Sequence, residues 1–152
     1  MRIALAVLHL VALGIGFGAI YSRGRQLNKL GTDPEALRRA FTADAWWGIA
    51  AILWIGTGLW RALAGTEKLP SYYWNNHIFY AKMGMLAVVL LLEIWPMVTL
   101  IRWRVAIGRA LPTPAELAPI GRRLARVCDV QLLLIVCIVI AATMMARGYG
   151  AQ

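Results

Sequence analysis

The sequence is poor in charged residues, and acidic residues are the scarcest. It has seven Asp and Glu against sixteen Lys and Arg among 152 residues, so only 15% are charged while 61% are hydrophobic. A soluble domain is about a quarter charged and about 45–50% apolar. The few charges fall between long apolar runs, which is the pattern that a bilayer imposes. The composition therefore excludes an ordinary soluble fold and predicts a single membrane domain over residues 1–152.

Cysteine and the common catalytic motifs are also scarce or missing. Cys128 and Cys137 are nine residues apart on one predicted helix, about half a turn out of phase, so they cannot pair or share a metal. The sequence has no CxxC, no HExxH and no glycine-rich phosphate loop. These absences disfavour most soluble enzyme mechanisms. The basic residues behind the net charge of +9 flank apolar runs, so we expect no nucleic-acid partner.

Four apolar runs cover about residues 3–21, 46–63, 78–101 and 127–146. Each has the length, about 17–25 residues, that a helix needs to cross the hydrocarbon. Asp33, followed by Pro34, is a candidate N-cap before the second run, and Thr113 with Glu116 forms a capping box before the fourth. The sequence therefore predicts an all-α, integral membrane four-helix bundle.

Basic residues in the connections predict the orientation, because Lys and Arg are retained on the cytoplasmic side. The connection between the second and third runs has only Arg61 and Lys68. We therefore expect loops 22–45 and 102–126 to be cytoplasmic and both termini to lie on the outer side. The basic residues of those two loops are Arg23, Arg25, Lys29, Arg38 and Arg39, then Arg102, Arg104, Arg109, Arg122, Arg123 and Arg126.

The ionisable residues that matter most inside the predicted spans are His9, Lys82 and Glu93. An ionised group there costs at least about 2.5 kcal/mol, so each one needs a partner or a purpose. The topology places His9 and Lys82 in the outer leaflet. Lys82 and Glu93 are eleven residues apart on one face of their helix, too far apart to pair. We expect Arg102 or Arg104 to reach Glu93 from the inner end.

Small residues continue the face of the first helix that carries His9. Ala12 and Gly16 follow it at i+3 and i+7, so almost no side-chain volume lies below the imidazole. Either another helix approaches closely there, or a flat prosthetic group occupies the gap beside a histidine ligand. The residues alone leave both interpretations open.

Other polar residues gather near the ends of the predicted spans. Asp44, Asp129 and Gln131 lie at cytoplasmic ends, and we interpret Asp44 as a helix-start residue that favours the macrodipole. His77 lies just outside the third span. It is either a solvated interfacial histidine or a ligand for a metal or a haem on the outer rim.

Several motifs resemble those of one known family, the bacterial membrane proteins catalogued as domain of unknown function 2214. The resemblance covers nearly the whole chain, places it in the bacterial inner membrane, and implies no established activity. The motifs are Leu8-His9-Leu10, Gly14-Ile15-Gly16-Phe17-Gly18, Trp54-Ile55-Gly56-Thr57-Gly58-Leu59-Trp60, Tyr80-Ala81-Lys82-Met83-Gly84 and Glu93-Ile94-Trp95-Pro96-Met97.

The order of a first-span histidine, a basic loop and a lysine early in the third span also resembles, more distantly, J-type protoporphyrinogen oxidases and the copper-resistance D membrane domain. In the J-type oxidases the corresponding histidine and lysine are essential and the protein binds haem b. The resemblance thus implies roles for His9 and Lys82. The sequence departs from it at Glu93, where a histidine is expected, and at Tyr80.

The leading hypothesis is a haem b membrane oxidoreductase. His9 is then the metal ligand, and Lys82 and Glu93 are the catalytic residues. Gly16 and His77 join His9 and Lys82 in the cofactor site. The expected partners are the lipid bilayer, a tetrapyrrole or quinone, and a second copy of the chain as a homo-oligomer.

Two alternatives come from different functional classes. One is a copper or other metal transport module, whose ligands would be His9, His77 and Met144 or Met145. The other is a non-catalytic partner subunit that docks a membrane helix through Gly14-xxx-Gly18 and binds anionic lipid through its basic loops.

Overall fold

The computed structural model describes residues 2–64 and 74–150, and within them the chain forms four helices. The helices are α1 (Arg2–Leu27), α2 (Ala36–Leu63), α3 (His77–Ala106) and α4 (Pro114–Ala146). The predicted all-α four-helix bundle is therefore confirmed. All four helices are longer than the predicted spans. Much of the predicted loops 22–45 and 102–126 is therefore helical. Lys68, counted above, lies outside the described residues.

Local sequence signals explain where two of the helices begin. The predicted capping box before α4 is confirmed, because the backbone N–H of Thr113 donates to Glu116 Oε2 at 2.8 Å. The predicted N-cap of α2 is wrong by two residues, since Glu35 rather than Asp33 caps the helix. Asp33 instead belongs to the preceding turn, where its Oδ1 accepts a 2.9 Å bond from the N–H of Glu35.

Each helix packs antiparallel to its neighbour in space. α1 packs against α2 and α4, and α4 also packs against α3, whereas α2 and α3 make few contacts with each other. At one end of the bundle Asn76 Nδ2, just before α3, donates a 3.0 Å bond to the carbonyl of Tyr149, just after α4. At the other end the carbonyl of Leu27 leaves no room for a Cβ at Gly121. Consequently α1 and α3 run parallel, and the seam between α2 and α3 is the open side of the bundle.

The outer surface of the helices is apolar. Leu91 on α3 is 66% exposed and Leu133 on α4 is 63% exposed, which is normal for side chains that face lipid. Three helices, α1, α3 and α4, are long and apolar enough to cross a membrane, judged by length and composition. α2 does not reach that level, because it carries four tryptophans together with several charges.

Candidate functional site

The most polar point in the interior is Arg23, near the end of α1, whose side chain is fully buried. One residue from each of the other three helices contacts its guanidinium. These residues are Asp44 on α2, Glu93 on α3 and Gln131 on α4. We call these four residues the Arg23 cluster.

The guanidinium of Arg23 uses four of its five N–H groups within the cluster. Nη1 donates to Asp44 Oδ1 at 2.8 Å and to Glu93 Oε1 at 2.6 Å. Nη2 donates to Glu93 Oε2 at 2.7 Å and to Gln131 Oε1 at 3.1 Å. The bonds to Glu93 form the bidentate arrangement in which arginine binds a carboxylate most strongly. The remaining N–H, on Nε, has no hydrogen-bond partner among the described residues.

Gln131 completes the cluster by bonding Glu93 as well as Arg23. Its Nε2 donates to Glu93 Oε2 at 2.8 Å and to the carbonyl of Val89 at 3.3 Å. Gln131 is itself fully buried, so this amide has exchanged its bonds with water for bonds with protein. The network thus joins all four helices at one level.

Negative charge exceeds positive charge in the cluster. Two carboxylates, each on a side chain that is only 14% exposed, face the single cation of Arg23. Within the described residues, Arg104 is the other cation within ion-pair distance, with its Nη2 3.7 Å from Asp44 Oδ2. Its side chain is 48% exposed, so solvent weakens that attraction. The buried part of the site therefore carries an excess negative charge when both carboxylates are ionised.

Periodicity on α1 explains why Arg23 faces inward. His9, Gly16 and Arg23 are seven residues apart, about two helical turns, so they share one face. Gly16 on this face is buried against α2. The basic residues after Tyr21 predict a loop at Arg23, so the face predicted from the sequence ends at Gly16. Extending the face by two more turns was the signal that could have identified Arg23.

The predicted environments of the acidic residues need correction. Glu93 binds Arg23, not Arg102 or Arg104, because α1 continues as a helix to the level of Glu93. Asp44 is not a helix-start residue, since it lies more than two turns inside α2 and binds Arg23. Asp129, which was grouped with it, is exposed and outside the cluster.

His9 lies farther along the same face of α1 and contacts α2. Its Nδ1 is 3.0 Å from Thr57 Oγ1. The Thr57 hydroxyl lies 2.6 Å from the carbonyl of Leu53 and donates its proton there. The ring nitrogen is therefore the donor in the bond to Thr57, and in a neutral His9 the lone pair lies on Nε2.

The small-residue face below His9 packs against α2. A Cβ placed on Gly16 would lie 3.1 Å from the ring of Trp47 and 3.4 Å from Cβ of Ala50. Ala12 is also buried. Of the two interpretations given for this face, the close approach of another helix is the one present in the structure. A tetrapyrrole bound to His9 would have to lie away from Gly16.

The other predicted site residues lie apart from the Arg23 cluster. Lys82 is half-buried near the start of α3, with Nζ 5.9 Å from the centre of the Phe79 ring. It is three turns, about 16 Å, from Glu93 along the helix. His77 is the first residue of α3 and is exposed. The candidate catalytic pair, Lys82 and Glu93, thus belongs to two different levels of the bundle.

No group of three or more His, Cys, Asp or Glu that could hold a metal ion occurs within residues 2–64 and 74–150. Met145 is buried and Met144 is 42% exposed, so the two predicted thioether ligands point in different directions. Cys128 is buried and Cys137 is partly exposed, and both are free thiols. A metal bound by His9 would therefore need ligands other than a group of His, Cys, Asp and Glu side chains from these residues.

Comparison with known proteins identifies a family but no activity. A family model described as "Predicted membrane protein (DUF2214)" matches residues 1–150. No curated protein and no solved structure matches the chain. The more distant resemblance to J-type protoporphyrinogen oxidases stays a prediction. The match spans nearly the whole chain, which therefore belongs to the DUF2214 family of predicted membrane proteins, as its motifs predict.

Proposed function

We propose that this protein is a four-pass membrane protein in which the Arg23 cluster binds and releases protons, and that this controls the separation of α2 and α3. The observation that carries the proposal is the fully buried Arg23, held between carboxylates from two other helices. Ionisable groups inside a membrane bundle are typical of proton relays and ion pathways.

The directions of the helices support four passes. α1 and α3 are both long and apolar enough to span the bilayer, and they run parallel. A chain that crosses twice in the same direction must return between the two crossings, and α2 is the helix that lies there. Its 28 residues extend about 42 Å, which is sufficient for that return. With the basic loops 22–45 and 102–126 inside, both termini face the periplasm.

The open seam makes α2 and α3 the helices that respond to a proton. Asp44 and Glu93 lie on these two helices, and they are joined through Nη1 of Arg23. When either carboxylate takes up a proton from water, it loses its charge, and its hydrogen bond from Arg23 becomes weaker because it is no longer charge-assisted on both sides. The direct contacts between α2 and α3 are few, and at this level they are those of Arg104 with Phe41 and Asp44. Little else therefore opposes a change in the separation of the two helices.

Spin labels on the two helices test the proposal. Ile52 is 75% exposed on α2 and Leu91 is 66% exposed on α3, so Ile52→Cys and Leu91→Cys can be labelled in a Cys137→Ala background. In nanodiscs we expect the distance distribution to change between about pH 8 and about pH 5. The change should disappear in the double variant Asp44→Asn/Glu93→Gln and persist in Asp129→Asn. An unchanged distribution at both pH values would show that the cluster is only structural.

A second candidate function is the haem b oxidoreductase, favoured by one observation. The bond from His9 Nδ1 to Thr57 orients the imidazole, as a hydrogen bond from one ring nitrogen does in many metal-bound histidines. In that function His9 binds the iron and Lys82 neutralises a propionate. Haem would supply electron transfer there, and a quinone or tetrapyrrole would be the partner.

The absorption spectrum tests this second candidate. Protein purified in mild detergent should show a Soret band that His9→Ala removes. His77→Ala is the matched control, because His77 is exposed at the start of α3, and it should leave the band unchanged if His9 is the ligand. Colourless, iron-free protein after expression with added haem precursor would contradict the haem proposal and leave the proton proposal standing.

A further inference from the structure

An open groove of about 390 Å³ lies between the first half of α2 and the last turn of α3, close to the Arg23 cluster. Its lining comes from α2, with Arg104 of α3 as the residue on the opposite side. The groove is part of the seam where α2 and α3 make few contacts, so the described helices leave it uncovered.

The α2 side of the groove changes from charged to apolar along its length. Arg38, Thr42, Ala45 and Ile49 follow one another at intervals of four, three and four residues, which places them on one face. The face therefore passes from a guanidinium to a hydroxyl, a methyl and a branched alkyl group over about 16 Å. This order matches an amphiphile with a polar headgroup at one end and a hydrocarbon chain at the other.

Two arginines from different helices lie at the charged end. Arg38 has a side chain that is 75% exposed, and its partner Glu35 is 54% exposed, so water already weakens their pair and an anion can compete with it. Arg104 stacks over the Phe41 ring at 5.0 Å and donates to the carbonyl of Phe41 at 3.3 Å. The stacking fixes the guanidinium at the rim, where its other N–H groups suit phosphate oxygens.

We propose that this groove binds one anionic phospholipid, with its phosphate between Arg38 and Arg104 and an acyl chain along Ile49 and Trp46. Trp46 is 54% exposed and lines the groove at the apolar end. A free inorganic anion would make no use of that apolar half. A soluble peptide lacks the hydrocarbon chain that the other half accommodates.

One residue connects the groove to the Arg23 cluster. Arg104 lines the groove and is also 3.7 Å from Asp44. A phosphate bound to Arg104 therefore competes with Asp44 for the same guanidinium. Lipid composition should therefore affect the ion pairs of the Arg23 cluster. The lipid site itself does not depend on the proposed proton binding at that cluster.

Native mass spectrometry of the full chain in detergent tests the proposal, with phosphatidylglycerol as the anionic probe and phosphatidylcholine as the neutral one. The double variant Arg38→Gln/Arg104→Gln should bind phosphatidylglycerol about 30-fold more weakly, from the effect of two arginines on an anionic lipid. Arg39→Gln/Arg102→Gln is the matched control. It removes the same charge from the same two helices at exposed positions outside the groove.

The outcomes separate a built site from general attraction. Selective retention of phosphatidylglycerol that the groove variant loses and the control variant keeps would support the proposal. Equal losses in both variants, or no preference over phosphatidylcholine, would overturn it. Inorganic phosphate that competes as well as the lipid would also overturn it, because the apolar half of the groove would then contribute nothing. An Ile49→Asp variant should weaken lipid binding while leaving both arginines in place.

Discussion

The Arg23 cluster and the His9–Thr57 pair lie on the same face of α1, about 21 Å apart along the helix, yet they are built differently. The cluster draws one residue from each of the four helices and encloses a full charge. The pair joins two helices through one hydrogen bond, and its histidine is only partly buried. A site made by every helix can hold a charge more easily than a site made by two helices, because it replaces most of the lost water: four of the five N–H groups of Arg23 are bonded.

Removal of Arg23 should have the largest effect. Arg23→Leu leaves two carboxylates without their buried cation, and we expect a loss of about 3–5 kcal/mol in the free energy of unfolding. Thermal unfolding in detergent measures it. Arg25→Leu is the matched control, because this exposed arginine is two residues away on the same helix. If the two variants lost equal stability, the cluster would be no more important than a surface charge.

The next largest effect concerns the packed face between the two sites. Gly16→Ala places a Cβ 3.1 Å from the Trp47 ring, and we expect overpacking to make it about 1–3 kcal/mol less stable than Gly14→Ala. Gly14→Ala is the control, since no atom lies within 4 Å of its Cβ position, and this helix former should be neutral or stabilising there. Equal unfolding temperatures for Gly16→Ala and Gly14→Ala would argue that α1 and α2 are not packed as described.

The smallest effect concerns the histidine. Thr57→Val removes the acceptor for His9 Nδ1 and should cost about 1 kcal/mol. The matched control is Thr143→Val, because Thr143 also donates to a carbonyl four residues earlier, at 2.8 Å, but is exposed. The difference in unfolding temperature between these variants isolates the interaction with His9. No difference would mean that His9 is oriented by other contacts.

The two sites also differ in how far the sequence alone predicts them. Composition and apolar runs predict four helices, because the thickness of the bilayer sets the length of apolar sequence that a spanning helix needs. Thr113 and Glu116 predict the start of α4, because a capping box is local. His9 is conspicuous as a lone polar residue in an apolar run. For Arg23 the sequence predicts a place in a basic loop, since it follows an apolar run at a position where arginines normally meet the interface.

The partners of Arg23 depend on the fold more than on local pattern. Glu93 and Gln131 are 70 and 108 residues from Arg23, and no periodicity within one helix relates such positions. Their juxtaposition follows from the antiparallel order of neighbours, which brings the end of α1 to the middle of α3. A single sequence cannot specify how far α1 and α3 are displaced along each other, because sliding a helix by one turn leaves its apolar pattern almost unchanged.

The contact between the start of α3 and the segment after α4 has a practical consequence for mapping which way the protein faces. Asn76 is fully buried, accepts bonds from the N–H groups of Ile78 and Phe79, and donates to the carbonyl of Tyr149. Gly150 adopts φ of +79° beside it, with no room for a Cβ. A reporter enzyme fused directly after Gly148 would remove this contact and take from Asn76 Nδ2 its acceptor on Tyr149. A fusion that retains Gly150 and adds a spacer reports orientation without disturbing it.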